Sequence, residues 1–248
     1  MMRKGLVIAG LLVVLFAGVL GTTGCTRVLL EDVEGPSGVE TKNASIPLDG
    51  AERLDARITM PVGEFTLTGG GTGAMDAVFT HSRDWVPRTE YSVESSTGVL
   101  RVDQPAVSER IPFGQKANQW DIRLASAIPV DLNVELGAGQ SEIDLRDVDV
   151  DKLDVLTGVG ETTIDLSGAR THDVTARIEA GLGQLTVRVP RGIGVRLTSI
   201  SDGIGDFSAE GLHRDGSDYV NDAYATSTTK MEITLHRGIG EVRVVSVP

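Results

Sequence analysis

Two alternations run through this chain. The shorter one places apolar and polar residues at every second position in segments such as RLDARITM, GEFTLTG, DAVFTH, RTEYSVE, GVLRVDQ and QWDIRLA, from about residue 51 onward. Period two buries one face of a strand and wets the other, so each segment predicts a β-strand. Glycine-containing turns separate the segments, and almost no stretch carries helical spacing.

The longer alternation is a repeat. GAGQSEIDL from 137, GVGETTIDL from 158, GLGQLTVRV from 181, GIGDFSAEG from 203 and GIGEVRVVS from 238 share one template, with leading glycines 21, 23, 22 and 35 residues apart. A period in this range marks stacked rungs, each of which buries its apolar face against its neighbours. Positions four, six and eight after the first glycine are mostly small or apolar. The sixth is the cleanest, with Ile143, Ile164, Val187, Ala209 and Val244. Three residues before the glycine stands another apolar ladder of Val134, Val155, Ile178, Ile200 and Leu235. Each repeat therefore predicts a strand, a Gly-x-Gly corner and a second strand, and the fold class is an all-β solenoid with rungs of about 22 residues. The longest gap holds an insertion, residues 212–229, expected to project as a loop; its Tyr219, Asn221 and Tyr224 are candidates for contact with a partner. The last rung, EVRVVSVP, ends in a proline that cannot extend a ladder, so Pro248 is expected to close the stack.

The N-terminus departs from both patterns. Arg3 and Lys4 precede an uncharged apolar run from Leu6 to Leu20 and then small residues, the layout of a secretory signal over 1–24. Cys25 is the only cysteine, which rules out an internal disulfide. A lone thiol at this place resembles a bacterial lipobox, although Thr22 stands where leucine is usual. Lipid attachment at Cys25, retention as a short anchor, and plain secretion stay open; each delivers the body outside the cytoplasm. Residues 25–47 mix acids, Gly, Pro and Ser without period and read as a tether.

Composition narrows the chemistry. Residues 1–24 hold two of the 23 basic residues and none of the 35 acidic ones, which leaves the remainder at a net charge of −14. Such a body repels nucleic acid and anionic surfaces. The Gly-x-Gly corners lack the third glycine of a dinucleotide fingerprint, and no helix follows them. His81, His172, His213 and His236 are scattered, and no Gly-x-Ser-x-Gly elbow occurs. Asp144 and Asp165 hold equivalent places on adjacent rungs, where they would share a cation or form one side of a partly paired solvent face. Trp85 and Trp120 read as core residues. The pattern implies no catalytic residue, no cofactor and no metal.

GEFTLTGG, then Phe79, Trp85, Pro87 and Tyr91, and GVLRVDQ ending at Gln104 resemble the N-terminal domain of the bacterial toast-rack family. QWDIRLASAIPVDLNVELGAGQSEIDLRDVDVDKLDVLTGVGETTIDL resembles that family's following rungs, and VPRGIGVRL, YVNDAY and GIGEVRV resemble the related LiaF-like C-terminal region. The likeness divides the body into an N-terminal β region, 48–130, and a LiaF-like region, 131–248. It implies a right-handed, single-stranded β-solenoid at the cell envelope with no established enzymatic activity. LiaF-like relatives take part in envelope-stress sensing beside two-component kinases, usually behind several membrane helices, whereas this chain has one hydrophobic segment. The expected function is a non-catalytic, envelope-anchored binding or scaffold module, held to membrane lipid through Cys25, whose partner is another envelope protein or a second copy. The alternatives are a carbohydrate-binding or carbohydrate-active solenoid acting on envelope glycans, and an accessory of a stress sensor.

Overall fold

A computed structural model describes residues 29–34, 38–105, 117–201 and 203–248. Cys25 and the signal segment lie outside them. Seventeen β-strands and no helix occur among the described residues. β1 (Leu29–Glu34) and β2 (Val39–Ile46) come first, and β3 (Arg53–Gly71) is the first rung. β4 (Met75–Ser82) and β5 (Arg88–Glu94) are antiparallel additions, and β6 (Thr97–Asp103) with β7 (Asn118–Ala125) makes the second rung. β8 (Val130–Asp144) and β9 (Val150–Asp165) are the third and fourth rungs, each a single strand that bends midway, as β3 does. β10 (Val174–Glu179) with β11 (Leu182–Pro190) is the fifth, and β12 (Gly194–Ser201) with β13 (Phe207–Glu210) the sixth. After the short hairpin of β14 (His213–Asp215) and β15 (Asp218–Val220), β16 (Lys230–His236) and β17 (Ile239–Val247) form the seventh.

The rungs stack in parallel register, but not in chain order. The halves before the bend, with β6, β10, β12 and β16, form the first sheet, and the halves after it, with β7, β11, β13 and β17, form the second. The second rung lies outside the first, which pairs on its other side with the third. The fourth and fifth follow in sequence. The seventh then takes the next place, β16 on β10 and β17 on β11, and the sixth lies outside it, β12 on β16 and β13 on β17. At both ends, therefore, the outermost rung and its inner neighbour are transposed in sequence. Pro248 consequently belongs to an interior rung and does not close the stack.

Antiparallel strands cover most of the terminal edges: β5 on β6, β4 on β7 with β2 and β1 beyond, and β15 with β14 on β12. An exposed parallel edge would offer a row of unpaired N–H and C=O groups to other chains, and these additions consume it. The insertion 212–229 does not project. Its hairpin is laid against the end of the first sheet.

The two predicted apolar ladders face each other across the interior. Ile58, Val134, Val155, Ile178 and Leu235 stack on one side and Leu67, Ile143, Ile164, Val187 and Val244 on the other, all buried. Burying each such side chain contributes about 1.5–3 kcal/mol before entropy is counted. Ile200 leaves its expected ladder: Ser199 is the residue opposite Leu235, and a bulge intervenes before Ser201. One apolar cluster runs from Ala44 to Val244, so 48–130 and 131–248 share a core. Trp120 and Trp85 are buried as expected, Trp120 edge-on to Phe79 with ring centroids 5.3 Å apart.

Candidate interaction surface

Two glycines make the corner in the five rungs from β8 onward, and Pro61 with Gly63 makes it in the first. At the second one φ is +147° in Gly139 and +143° in Gly160, a region in which only glycine is comfortable. A Cβ at Gly160 would lie 1.8 Å from the carbonyl oxygen of Gly139, so the rungs touch backbone to backbone here. The same contact continues from Gly160 to Gly183, Gly240 and Gly205 and back to Gly63. In the outermost rung Asn118 replaces the glycine, and its amide donates to the Val62 carbonyl at 2.5 Å and to Gln104 Oε1 at 2.6 Å.

The corner turns the middle residue of Gly-x-Gly outward. In register along the stack these residues are Val62, Ala138, Val159, Leu182, Ile239 and Ile204. Val159, Leu182, Ile239 and Ile204 are 54%, 48%, 52% and 71% exposed, the largest share of the exposed large apolar residues. They form a ridge with a glycine track on either side. The four large exposed side chains span three inter-strand steps of about 4.8 Å, about 14 Å, and Ala138 with the less exposed Val62 extends the line to about 24 Å. A contiguous exposed apolar patch of this kind marks a contact surface more often than a chance. The nearby crevice, bounded by Gly183 and Gly240, measures only about 10 Å³, too small for a ligand.

Acidic residues flank the ridge. The residue after the second glycine is Glu64, Gln140, Glu161, Gln184, Glu241 and Asp206 in stacking order, all exposed. Amides stand between the first three acids, which keeps like charges from lying directly opposite on adjacent strands. On the other flank Glu135 and the half-exposed Leu156 and Glu179 lie in register. The sequence carries this ridge plainly, since every x of the five Gly-x-Gly corners is apolar. Period two cannot tell which way x points, because the positive φ of the second glycine interrupts the alternation.

Asp144 and Asp165 are brought side by side in register, and arginines engage them. Arg146 grips Asp144 with Nε donating to Oδ1 at 2.9 Å and Nη2 to Oδ2 at 2.6 Å, and this bond holds the Asp144 carboxyl below its ordinary range. Asp165 accepts from Ser167 Oγ at 2.5 Å and faces Arg188 at 3.4 Å. The pair is thus part of a mixed-sign face. Two shallow depressions of about 570 and 360 Å³ lie on this outer face of the second sheet, the first bordered by Asp76, Asp121 and Arg123, the second by Glu142, Glu161 and Arg188. Among the described residues no three His, Cys, Asp or Glu side chains are grouped to hold a metal.

The insertion's three residues do internal work. Asn221 is 2% exposed; its Oδ1 accepts from the Val195 N–H at 2.9 Å and its Nδ2 donates to the Ile193 carbonyl at 2.7 Å. Tyr219 packs edge-on to Phe207 at 5.3 Å. Tyr224 donates its hydroxyl to Glu232 at 2.8 Å, with Arg196 4.5 Å and the Lys230 ammonium 4.4 Å from its ring centre. Sequence reading also passed over Arg170, which is buried and donates to the carbonyls of Val148 and Leu145 in the turn of the preceding rung. Burial lowers the pKa of its guanidinium.

The chain is similar in sequence and fold to known proteins. The family model for the N-terminal domain of toast_rack matches residues 35–188, and the one for the cell wall-active antibiotics response LiaF C-terminal region matches 138–244. A candidate cell adhesion protein from Clostridium sporogenes is 28% identical over 84% of this chain and 100% of its own, with a TM-score of 0.81. A candidate adhesin from Bacteroides fragilis covers 85% of this chain and 99% of its own at 13% identity and a TM-score of 0.27. No curated protein matches the chain. Neither family description names a catalytic activity. With the first model spanning more than half of the residues and the rungs stacked as described, the chain belongs to the toast-rack family, an envelope-related group of all-β proteins.

Proposed function

We propose that this protein is a non-catalytic binding module of the cell envelope, held to membrane lipid through Cys25 and presenting the corner ridge to another envelope protein. The exposed apolar ridge carries the reading: a soluble solenoid has no structural need for half-exposed Val, Leu and Ile at successive corners. Most of the expected tether, 25–47, is instead folded as β1 and β2, which pair onto β4 and belong to the body that carries the ridge. The Clostridium protein's link to cell adhesion and the LiaF description's link to a cell-wall response both fit a surface that makes contacts at the envelope. The carbohydrate reading has less support. Both tryptophans are buried, the Tyr224 ring has cations near it, and Asp144 and Asp165 are engaged by arginines.

Crosslinking in living cells, with a tagged wild type beside a Cys25→Ser variant and with and without a cell-wall antibiotic, tests it. The reading expects a Cys25-dependent crosslink to an envelope protein. Recovery of glycan fragments alone would favour the carbohydrate alternative and sink this one.

A further inference from the structure

Resting on that reading, we propose that the ridge receives an amphipathic α-helix of a partner protein, with basic residues flanking the helix's apolar stripe. Three observations fix the occupant. With Ala138 and Val62 the ridge is about 24 Å long, the rise of about 16 helical residues. Its apolar side chains recur every 4.8 Å or so, close to the 5.4 Å pitch at which a helix presents its own stripe, so knobs mesh over several turns before the two repeats drift apart. The glycine tracks on both sides are shallow furrows into which the helix's flanking side chains settle. Charge then selects among amphipathic helices. Glu64, Glu161, Glu241 and Asp206 line one flank and Glu135 the other, all exposed, so long Lys or Arg side chains reach carboxylates on either side of the stripe.

The same charges disfavour two other occupants. A second copy laid ridge to ridge would oppose acidic rows to acidic rows on bodies of net charge −14. An anionic lipid surface would meet the same repulsion.

The test uses residues 26–248, which hold the whole apolar cluster from Ala44 to Val244, and an 18-residue helical peptide of leucine and lysine patterned as one apolar stripe, followed by fluorescence anisotropy. The matched leucine–glutamate peptide, phosphatidylcholine–phosphatidylglycerol vesicles and sedimentation of the protein alone run beside it. The variants are the triple Val159→Ser, Leu182→Ser, Ile239→Ser and, separately, the double Glu161→Gln, Glu241→Gln, with unfolding curves to establish that each folds. The expected result is binding of the lysine peptide only, weakened about tenfold or more by either set of substitutions. Undiminished binding to the serine triple would mean bulk charge attraction and overturn the proposal. So would ridge-dependent binding of vesicles, or ridge-dependent self-association. If the peptide fails while ridge positions still crosslink to an envelope protein in cells, the helix is the wrong partner and the binding-module reading stands. If both fail, both fall.

Discussion

Single residues decide how closely the rungs approach. Gly160 stands where a methyl group would press into the backbone of the neighbouring rung at a φ that side chains rarely adopt. Gly160→Ala should therefore cost more than about 4 kcal/mol, in the exceptional range for one substitution, and chemical denaturation would measure it. An exposed glycine with free space, such as Gly216, gives the comparison at another positive φ, and its replacement should cost much less. A titratable residue acts differently. His172 places Nε2 2.7 Å from Asp149 Oδ1 and Nδ1 3.1 Å from the Asp173 carbonyl, an arrangement for an imidazolium donating on both sides. The Asp149 bond, followed by the Asp173 carbonyl, raises its pKa above the ordinary 6.5. A raised pKa in the folded state means that the stabilisation is full below the unfolded pKa and disappears as pH rises through the folded value. Unfolding titrations from pH 5 to 8.5 should show wild type losing stability relative to His172→Gln as pH rises. Parallel curves would rule the histidine out as the cause.

At the scale of elements, the insertion acts as a latch. Asn221 bonds the β12 backbone from both its side chain and its main chain, where the chain returns from the hairpin toward β16. Asn221→Ala leaves a buried N–H without its acceptor and should cost about 1–3 kcal/mol. A larger consequence follows from the transposed rungs. Among the described residues, and beyond the hairpin, β12 and β13 pair with the stack only through β16 and β17. Removing residues 230–248 should therefore strip amide-exchange protection from 194–220 as well, whereas a stack in chain order would keep it.

How much of this was legible in the sequence follows from the kind of information each feature needs. Apolar periodicity names the inward residues, as with Ile143, Ile164, Val187 and Val244, because burial acts on each rung alike. Rung order depends on which parallel neighbour a strand chooses, and every rung offers nearly the same ladder, so nothing local says that β16 precedes β12 in the stack. Ile200 was lost for a related reason: a one-residue bulge shifts register without changing composition. The insertion illustrates a third limit. Tyr219, Asn221 and Tyr224 sit in a polar insertion, yet their packing inside it is set by Phe207, Val195 and Glu232, which are distant in sequence or unremarkable alone.

For the whole molecule, the corner ridge links architecture to role. Stacking alone repeats whatever stands between the two glycines, so a single apolar choice per rung becomes a continuous line. The direct test of that role is a photo-crosslinking amino acid placed at Leu182 in living cells, with Thr175 on the exposed outer face of the first sheet as the control position. The account predicts a discrete envelope-protein adduct from position 182 and none from 175. Equal adducts from both positions, or none from either, would contradict it.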